Sequence, residues 1–321
     1  MKLKFLLIIT IMLLGKVAFA ASPASLLVNM VPPYPAPHEN VSITLNSYAS
    51  NLDTVLISWS VDGKIISSEI GKKSFSTTAG AAGALTSIVV TVYLPDGAIE
   101  KEISIRPSVM LLLWQANDSY VPPFYKGKAL ATPDSEVKIV AMPEARTSSG
   151  LIDSKNMAYS WKKDYNNVPD ASGYGKNFFL YVNDYLEDSN AVSVVASTLD
   201  QEYSVEANIT VGTAEPKILF YKNDSTLGTL WNMALSDTYK IQGPETLKAI
   251  PYFISPKEIR HPALIWGWFI NDKRVTLTTF EKNSMPLGVS EGKHGISKLR
   301  VDIENRDKIF QAVSKEINIE F

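Results

Sequence analysis

Three tryptophans at nearly equal spacing are the feature that most constrains the fold of this chain. Trp59, Trp161 and Trp268 lie 102 and 107 residues apart. The segments around them, ISWSVDG, YSWKKDY and WGWFIND, each place Asp or Asn three residues after that tryptophan. Recurrence at a fixed period indicates repeated structural units, so the spacing predicts three units of about 100 residues each.

Each unit also repeats a series of strand-like segments. NVSITLNSY, EVKIVAMPE and ETLKAIPYF precede the tryptophans, and SIVVTVYLPDG, AVSVVASTLDQ and ISKLRVDIENRD follow them. They alternate apolar and polar residues, which predicts strands with one buried face. Short strands around a central tryptophan are typical of a β-sandwich, where one indole fills the space between two sheets about 10 Å apart. The polar residue at +3 is expected to open a turn, and residues 229–241 are the best helical candidate.

The segment ISWSVDG followed by VVTVYLPDG resembles the immunoglobulin-like and PKD-like modules found in tandem on bacterial secreted and surface proteins. WSVDG meets only half of the PKD pattern, whereas WKKDY and WFIND depart from it, and the paired cysteines of antibody domains are absent. The resemblance implies an all-β fold of three tandem immunoglobulin-like β-sandwich domains. It also implies a role in adhesion, spacing or presentation.

The repeat predicts the domain boundaries. Residues 1–20 form a signal peptide, and 21–107, 108–213 and 214–321 form the first, second and third modules. The joints IRPS and GTAEPK are short and contain proline. Such joints restrict the angle between neighbouring modules.

The first twenty residues have the composition of a secretory signal. Lys2 and Lys4 precede an apolar stretch, and Ala18 and Ala20 offer a cleavage site after Ala20. The alternative is an uncut anchor, although the apolar stretch is shorter than the ~20 residues that span a bilayer. We therefore expect an exported protein that is periplasmic, on the cell surface or extracellular, with no membrane span in the mature chain.

Charge and cysteine content exclude several classes of partner and chemistry. Without the lysines of the signal, 28 basic residues face 33 acidic residues, a net charge of −5. No basic stripe is visible, so nucleic acid is not an expected partner. The chain has no cysteine, which removes thiol catalysis and disulfides, and hydrophobic cores must hold the modules together.

Candidate catalytic and metal-binding residues are sparse. His38, His261 and His294 lie in separate turn-like contexts without a nucleophile motif, which favours loop histidines over catalysis. NDS occurs at matching places in units two and three, so Asp118 and Asp224 are weak calcium candidates. The alternative is a turn in which the aspartate binds its own backbone. We expect no cofactor.

The aromatic residues give the most suggestive binding signal. VPPY at 31–34 recurs as VPPFY at 121–125, and unit three has a tryptophan in the same region. The candidate ligand-binding residues are thus Tyr34, Phe124, Tyr125 and Trp231, which can stack on sugars or anchor a partner protein. The alternative is structural: a proline kink lets the first strand switch sheets while the ring plugs the sandwich edge. Trp59, Trp161 and Trp268 are assigned to the cores.

The sequence favours a non-enzymatic exported module array that acts as a spacer, scaffold or adhesion protein at a bacterial envelope. Its partner would be a protein or a glycan at that envelope. The first alternative is a carbohydrate-binding protein that uses loop aromatics. The second is a hydrolase with a site on one sandwich.

Three modules on short proline-containing joints predict a semi-rigid rod. Small-angle X-ray scattering of residues 21–321 should therefore show an elongated particle. A compact globule would contradict the three-module layout.

Overall fold

The computed structural model describes residues 26–147, 150–277, 281–290 and 292–321. The predicted signal peptide lies outside these ranges. The described residues form β-strands and no α-helix, with short 3₁₀ turns at Leu52–Thr54, Ser154–Asn156 and Pro169–Ala171. No helix among them is long and apolar enough to span a bilayer.

The chain divides into two compact units. The first contains the described residues up to Met110, together with Pro143–Asp153 and Ala196–Glu206, and the second contains the remainder from Leu111 to Phe321. This division into two units does not test the predicted domain boundaries, which stay predictions.

The first pair of sheets is built from seven strands: β1 (Leu26–Val31), β2 (Asn40–Ser47), β3 (Leu56–Val61), β4 (Lys64–Ile70), β5 (Ser74–Thr78), β6 (Thr86–Leu94) and β7 (Gly97–Ile105). One sheet has the order β1-β2-β5 and the other β4-β3-β6-β7. Their inward side chains alternate along each strand and form one core that includes Ile43, Ile57 and Val90.

The second pair of sheets follows in the chain: β8 (Val109–Ala116), β9 (Glu136–Glu144), β10 (Arg146–Thr147), β11 (Gly150–Leu151), β12 (Ala158–Lys163), β13 (Asn166–Asn167), β14 (Gly173–Tyr174), β15 (Phe178–Val182), β16 (Ser189–Ser197) and β17 (Ser204–Gly212). One sheet has the order β15-β9-β8. The other has the order β13-β12-β16-β17, with β14 also paired to β12, and β10 and β11 form a separate hairpin.

The third pair of sheets contains β18 (Lys217–Asp224), β19 (Gly228–Thr229), β20 (Thr238–Lys240), β21 (Glu245–Tyr252), β22 (Leu264–Ile270), β23 (Lys273–Val275), β24 (Ser284–Leu287), β25 (Ile296–Asn305) and β26 (Ala312–Glu320). The orders are β19-β18-β21-β24 and β20-β26-β25-β22-β23. The helix considered at 229–241 is wrong. β20 pairs in parallel with β26, so backbone groups that a helix would bond internally serve a sheet edge instead.

The three pairs of sheets share one strand order. In each, the first, second and fifth principal strands form one sheet, whereas the third, fourth, sixth and seventh form the other. This arrangement confirms the prediction of an all-β chain of tandem immunoglobulin-like modules. We call the three sheet pairs modules one, two and three.

The three repeated tryptophans occupy equivalent places. Trp59, Trp161 and Trp268 are almost completely buried. Each indole Nε1 donates a hydrogen bond to a backbone carbonyl 13 to 15 residues further on, at 2.8 to 2.9 Å; the acceptors are Lys72, Lys176 and Lys282. A phenylalanine ring packs nearby in each module: Phe75, Phe179 and Phe220. The indole therefore fills the core while its only polar atom stays paired.

The residue three places after each tryptophan also repeats its structure. Asp62, Asp164 and Asn271 have φ values of +48°, +48° and +47°, a conformation that Asp and Asn tolerate better than most residues. Each donates its backbone N–H to, and accepts with its side chain from, the same residue of the neighbouring strand; those residues are Ser87, Ala191 and Lys298. This pair of bonds holds the hairpin against the sheet.

The buried indole of module two gives a stability prediction. Trp161→Phe removes the Nε1 donor, leaves the Lys176 carbonyl unpaired and opens a small cavity. We expect the free energy of unfolding to fall by about 2 to 4 kcal/mol in chemical denaturation. Tyr165→Phe is the control, because this ring is exposed, and it should change stability by less than about 0.5 kcal/mol. Equal stability of the two variants would contradict the assignment.

Candidate binding surface

Tyr125 and Trp231, two of the aromatic residues singled out in the sequence, belong to one set of contacts within the second compact unit. The Tyr125 ring lies edge-on to Tyr252, with centroids 5.8 Å apart. The hydroxyl oxygens of Tyr252 and Tyr221 are 2.7 Å apart, and the Tyr221 ring lies 5.6 Å from Trp231. We call these residues, with Phe253 and Tyr120, the aromatic cluster.

The backbone of two loops builds the cluster. The Tyr120 N–H donates to Ile254 O at 2.7 Å, and the Phe253 N–H donates to Tyr120 O at 2.8 Å. Tyr120 lies in the connection from β8 to β9, whereas Phe253 directly follows β21. Burial raises the pKa of Tyr252 above its ordinary value, and the hydrogen bond with Tyr221 adds to that effect. The phenol is therefore neutral at physiological pH and serves as a hydrogen-bonding group.

Phe124 is the exposed tip of this surface. Its side chain is 83% exposed, and its backbone has φ +65°. Tyr125, next to it, turns back onto the cluster and passes over Gly127, where an added Cβ would lie 2.5 Å from the Tyr125 hydroxyl oxygen. Lys128 Nζ lies 3.5 Å from the Trp114 ring centroid. Tyr125 thus anchors this loop on the cluster, while the adjacent Phe124 ring is exposed.

The other predicted aromatic, Tyr34, lies in the first compact unit and is partly exposed. Trp231 is half-buried against Tyr221. In module three the first strand does change sheets across this region, because β18 pairs with β21 and β20 pairs with β26. Trp231 therefore fits the structural alternative, in which the ring plugs the edge of the sandwich, better than it fits a platform exposed to a ligand.

A buried polar network lies beside the aromatic cluster and joins modules two and three. The Gln311 side chain accepts from Ser255 N–H at 2.8 Å and donates to Pro133 O at 2.7 Å. Thr132 Oγ1 donates to Phe253 O at 2.9 Å, and Asn305 Nδ2 donates to Ser255 O at 2.7 Å. The polar side chains of Gln311, Thr132, Ser255 and Asn305 are almost fully buried. We call them the junction network.

The loop between β25 and β26 supplies a second group of contacts from module three. Its Lys308 Nζ donates to Asp118 Oδ2 at 2.5 Å and to Asp134 O at 2.6 Å. Its Phe310 ring stacks on Tyr185 with centroids 3.8 Å apart and planes 8° apart. Sequence reasoning missed this loop, since RDKIFQ reads as an ordinary polar turn with two apolar residues.

The two calcium candidates have protein partners in the structure. Asp118 accepts from Lys308 and from the Glu136 N–H, so an ammonium group already neutralises it. Asp224 accepts from the N–H groups of Leu227 and Thr226, which lower the pKa of its carboxyl group. Among the described residues, no group of three or more His, Asp or Glu side chains is placed to hold a metal ion. Both carboxylates thus serve local structure.

Two of the three histidines, His38 and His261, can be placed in turns from their hydrogen bonds. His261 Nδ1 accepts from the Ala263 N–H at 3.2 Å, within a turn. The backbone N–H of His38, at φ +63°, donates to Gly80 O. These two histidines therefore occupy turns at which backbone geometry decides the contacts.

No family model matches the chain, and no curated protein matches it. Among solved structures, it is similar to the fibronectin(III)-like modules of Clostridium thermocellum CbhA, with 17% identity and a TM-score of 0.28 over 58% of this chain and 94% of that one. The three N-terminal domains of the bacteriophage RB49 Highly Immunogenic Outer Capsid protein give 10% identity and 0.24, over 92% and 97%. Domains 3–5 of Drosophila OTK give 13% and 0.22, over 94% and 98%. Scores this low say nothing about function. The fold assignment rests on the strand order that the three modules share.

Proposed function

We propose that this chain is a non-enzymatic exported module array that acts as a spacer at a bacterial envelope and presents a protein-binding tip at Phe124. The junction network is the observation that carries the spacer role. Buried polar groups must be paired to avoid a large desolvation cost. The bond from Gln311 Nε2 to Pro133 O and the bond from Thr132 Oγ1 to Phe253 O form only when modules two and three meet in this orientation. The network therefore favours one arrangement of the joint.

The tip supports the binding role. Affinity in protein interfaces is concentrated in a few aromatic anchors that insert into a pocket of the partner. Phe124 is held outward on a loop that contains Pro122 and Pro123, so little conformational entropy is lost when it binds. Its phenyl ring lacks the polar group that orients most sugars, which favours a protein partner over a glycan.

The joint can be tested by removing its central amide. Gln311→Ala leaves the Ser255 N–H and the Pro133 carbonyl without their partner. We expect the free energy of unfolding to fall by about 2 to 4 kcal/mol, and modules two and three to unfold in separate steps. Denaturant titration followed by tryptophan fluorescence measures both effects.

Gln242→Ala is the matched control for the joint. Gln242 is exposed, so its removal should change stability by less than about 0.5 kcal/mol. If Gln311→Ala behaves like this control, the network does not hold the joint.

The tip can be tested by a single truncation. Phe124→Ala should reduce binding to isolated bacterial envelopes by at least about tenfold, in the range of an interface anchor. Its unfolding transition should not change, because the ring is exposed. Leu227→Ala is the control, since Leu227 is also an exposed apolar loop residue, 76% accessible, and it should bind like the parent chain.

A glycan array separates the two classes of ligand. Retention of a sugar that is lost in Phe124→Ala would replace the protein-binding proposal with the carbohydrate-binding alternative. Envelope binding that survives Phe124→Ala would remove the tip from the proposal and leave only the spacer role.

A further inference from the structure

Strand β4 is an unprotected edge in the first compact unit. Within the described ranges it pairs only with β3. Its isoleucines Ile65, Ile66 and Ile70 are 65%, 53% and 71% exposed. An exposed apolar edge strand offers free backbone groups to another strand, and soluble proteins normally blunt such edges. This edge carries only one lysine and one glutamate, Lys64 and Glu69.

The hydrogen bonds to β3 determine which backbone groups of β4 point outward. Antiparallel partners alternate between hydrogen-bonded and non-hydrogen-bonded pairs. The Gly71 N–H donates to Val55 O at 3.0 Å just beyond the end of β4. Because hydrogen-bonded and non-hydrogen-bonded pairs alternate from that bond onward, the backbone groups of Ile70 and Ser68 face away from β3.

The same alternation can be followed from the other end of β4. Val61 and Lys64 flank a two-residue turn with positive φ at both positions, and the pair that flanks such a turn is hydrogen-bonded. The next residue, Ile65, is therefore free. The register between the strands shifts by one residue between Trp59 and Ser60, which accounts for the three-residue step from Ile65 to Ser68.

We propose that β4 pairs antiparallel with β4 of a second copy of this chain, about a two-fold axis between Ile66 and Ser67. In this register Ile65 lies opposite Ser68 of the second copy, and Ser68 lies opposite its Ile65. Both residues have outward backbone groups, so each pair can exchange two hydrogen bonds. The interface is the same patch on both chains, as two-fold symmetry requires.

Charge complementarity selects the same register independently. It places Lys64 opposite Glu69 of the second copy, and the symmetry repeats that pair. Lys64 and Glu69 project to the same face of the sheet. Their partners on β3 are Val61 and Ile57, which are four residues apart and therefore share one face of that strand. Directly opposed side chains on adjacent strands have Cβ atoms about 5 Å apart, which suits an ion pair. A shift of one residue in either direction removes both pairs.

Apolar contacts extend across the opposite face. Leu56 on β3 lies beside Ile70 and beside Tyr93 on β6, and all three are exposed. In the proposed register, Ile65 of the second copy lies diagonal to Ile70, within reach of it. The pairing therefore covers part of an exposed apolar row.

Cysteine cross-linking tests the register directly, since the chain has no cysteine of its own. A chain carrying both Ile65→Cys and Ser68→Cys should form a disulfide-linked dimer under mild oxidation. The Cα atoms of hydrogen-bonded pairs lie about 5.5 Å apart, within disulfide reach, whereas these two residues of one strand are too far apart. Ile65→Cys with Glu69→Cys is the control, one residue out of register, and should cross-link at least about tenfold more slowly.

Charge exchange tests the ion pairs in residues 21–321, the chain without its predicted signal peptide. In sedimentation equilibrium, Lys64→Glu and Glu69→Lys should each raise the dimer dissociation constant by about tenfold. The double variant restores opposite charges and should return within about threefold of the parent. Both positions are exposed, so the folded monomer should be unaffected.

Two outcomes would overturn the proposal. One is a chain that stays monomeric at high concentration and gives no 65–68 cross-link, which would mean that the register shift and Lys64 protect this edge. The other is a dimer that ignores both charge changes, which would place the contact elsewhere. Neither outcome bears on the junction network or on Phe124, so this test is separate from that of the proposed function.

Discussion

The fold depends on an indole that is both buried and hydrogen-bonded, three times in one chain. Without cysteine, each module must be held by its core alone. The tryptophan supplies the largest side chain in that core, and its Nε1 donor is satisfied by a carbonyl of the connection that leads into the facing sheet. This one side chain thus both fills the space between two sheets and ties them together.

The junction between modules two and three follows a different physical rule. Its centre is polar: amides and hydroxyls of Gln311, Thr132, Ser255 and Asn305 bond to one another and to the backbone. An apolar contact tolerates small changes of angle at little cost. A buried polar network does not, because each donor or acceptor that loses its partner costs free energy. A fixed angle is what the proposed spacer role requires.

Much of the fold was predictable because strand alternation and the period of the tryptophans are local properties of the sequence. Asp62, Asp164 and Asn271 could be assigned to turns for the same reason. The junction could not be predicted. Gln311 and Lys308 are unremarkable in sequence, and their partners in module two lie more than a hundred residues away, so only the folded chain shows the contact. The aromatic cluster was seen in part: Phe124 and Tyr125 stood out beside prolines, whereas Tyr221 and Tyr252 were hidden within strand patterns.

The acceptor of each indole bond is a main-chain carbonyl, and the loop between donor and acceptor varies by up to two residues among the modules. The bond therefore imposes no side-chain identity on the acceptor position and no fixed length on the intervening hairpin. These hairpins are sites where sequence can diversify while the core stays constant. A designer could graft foreign recognition loops there, and natural lineages could change surface specificity without rebuilding the interior.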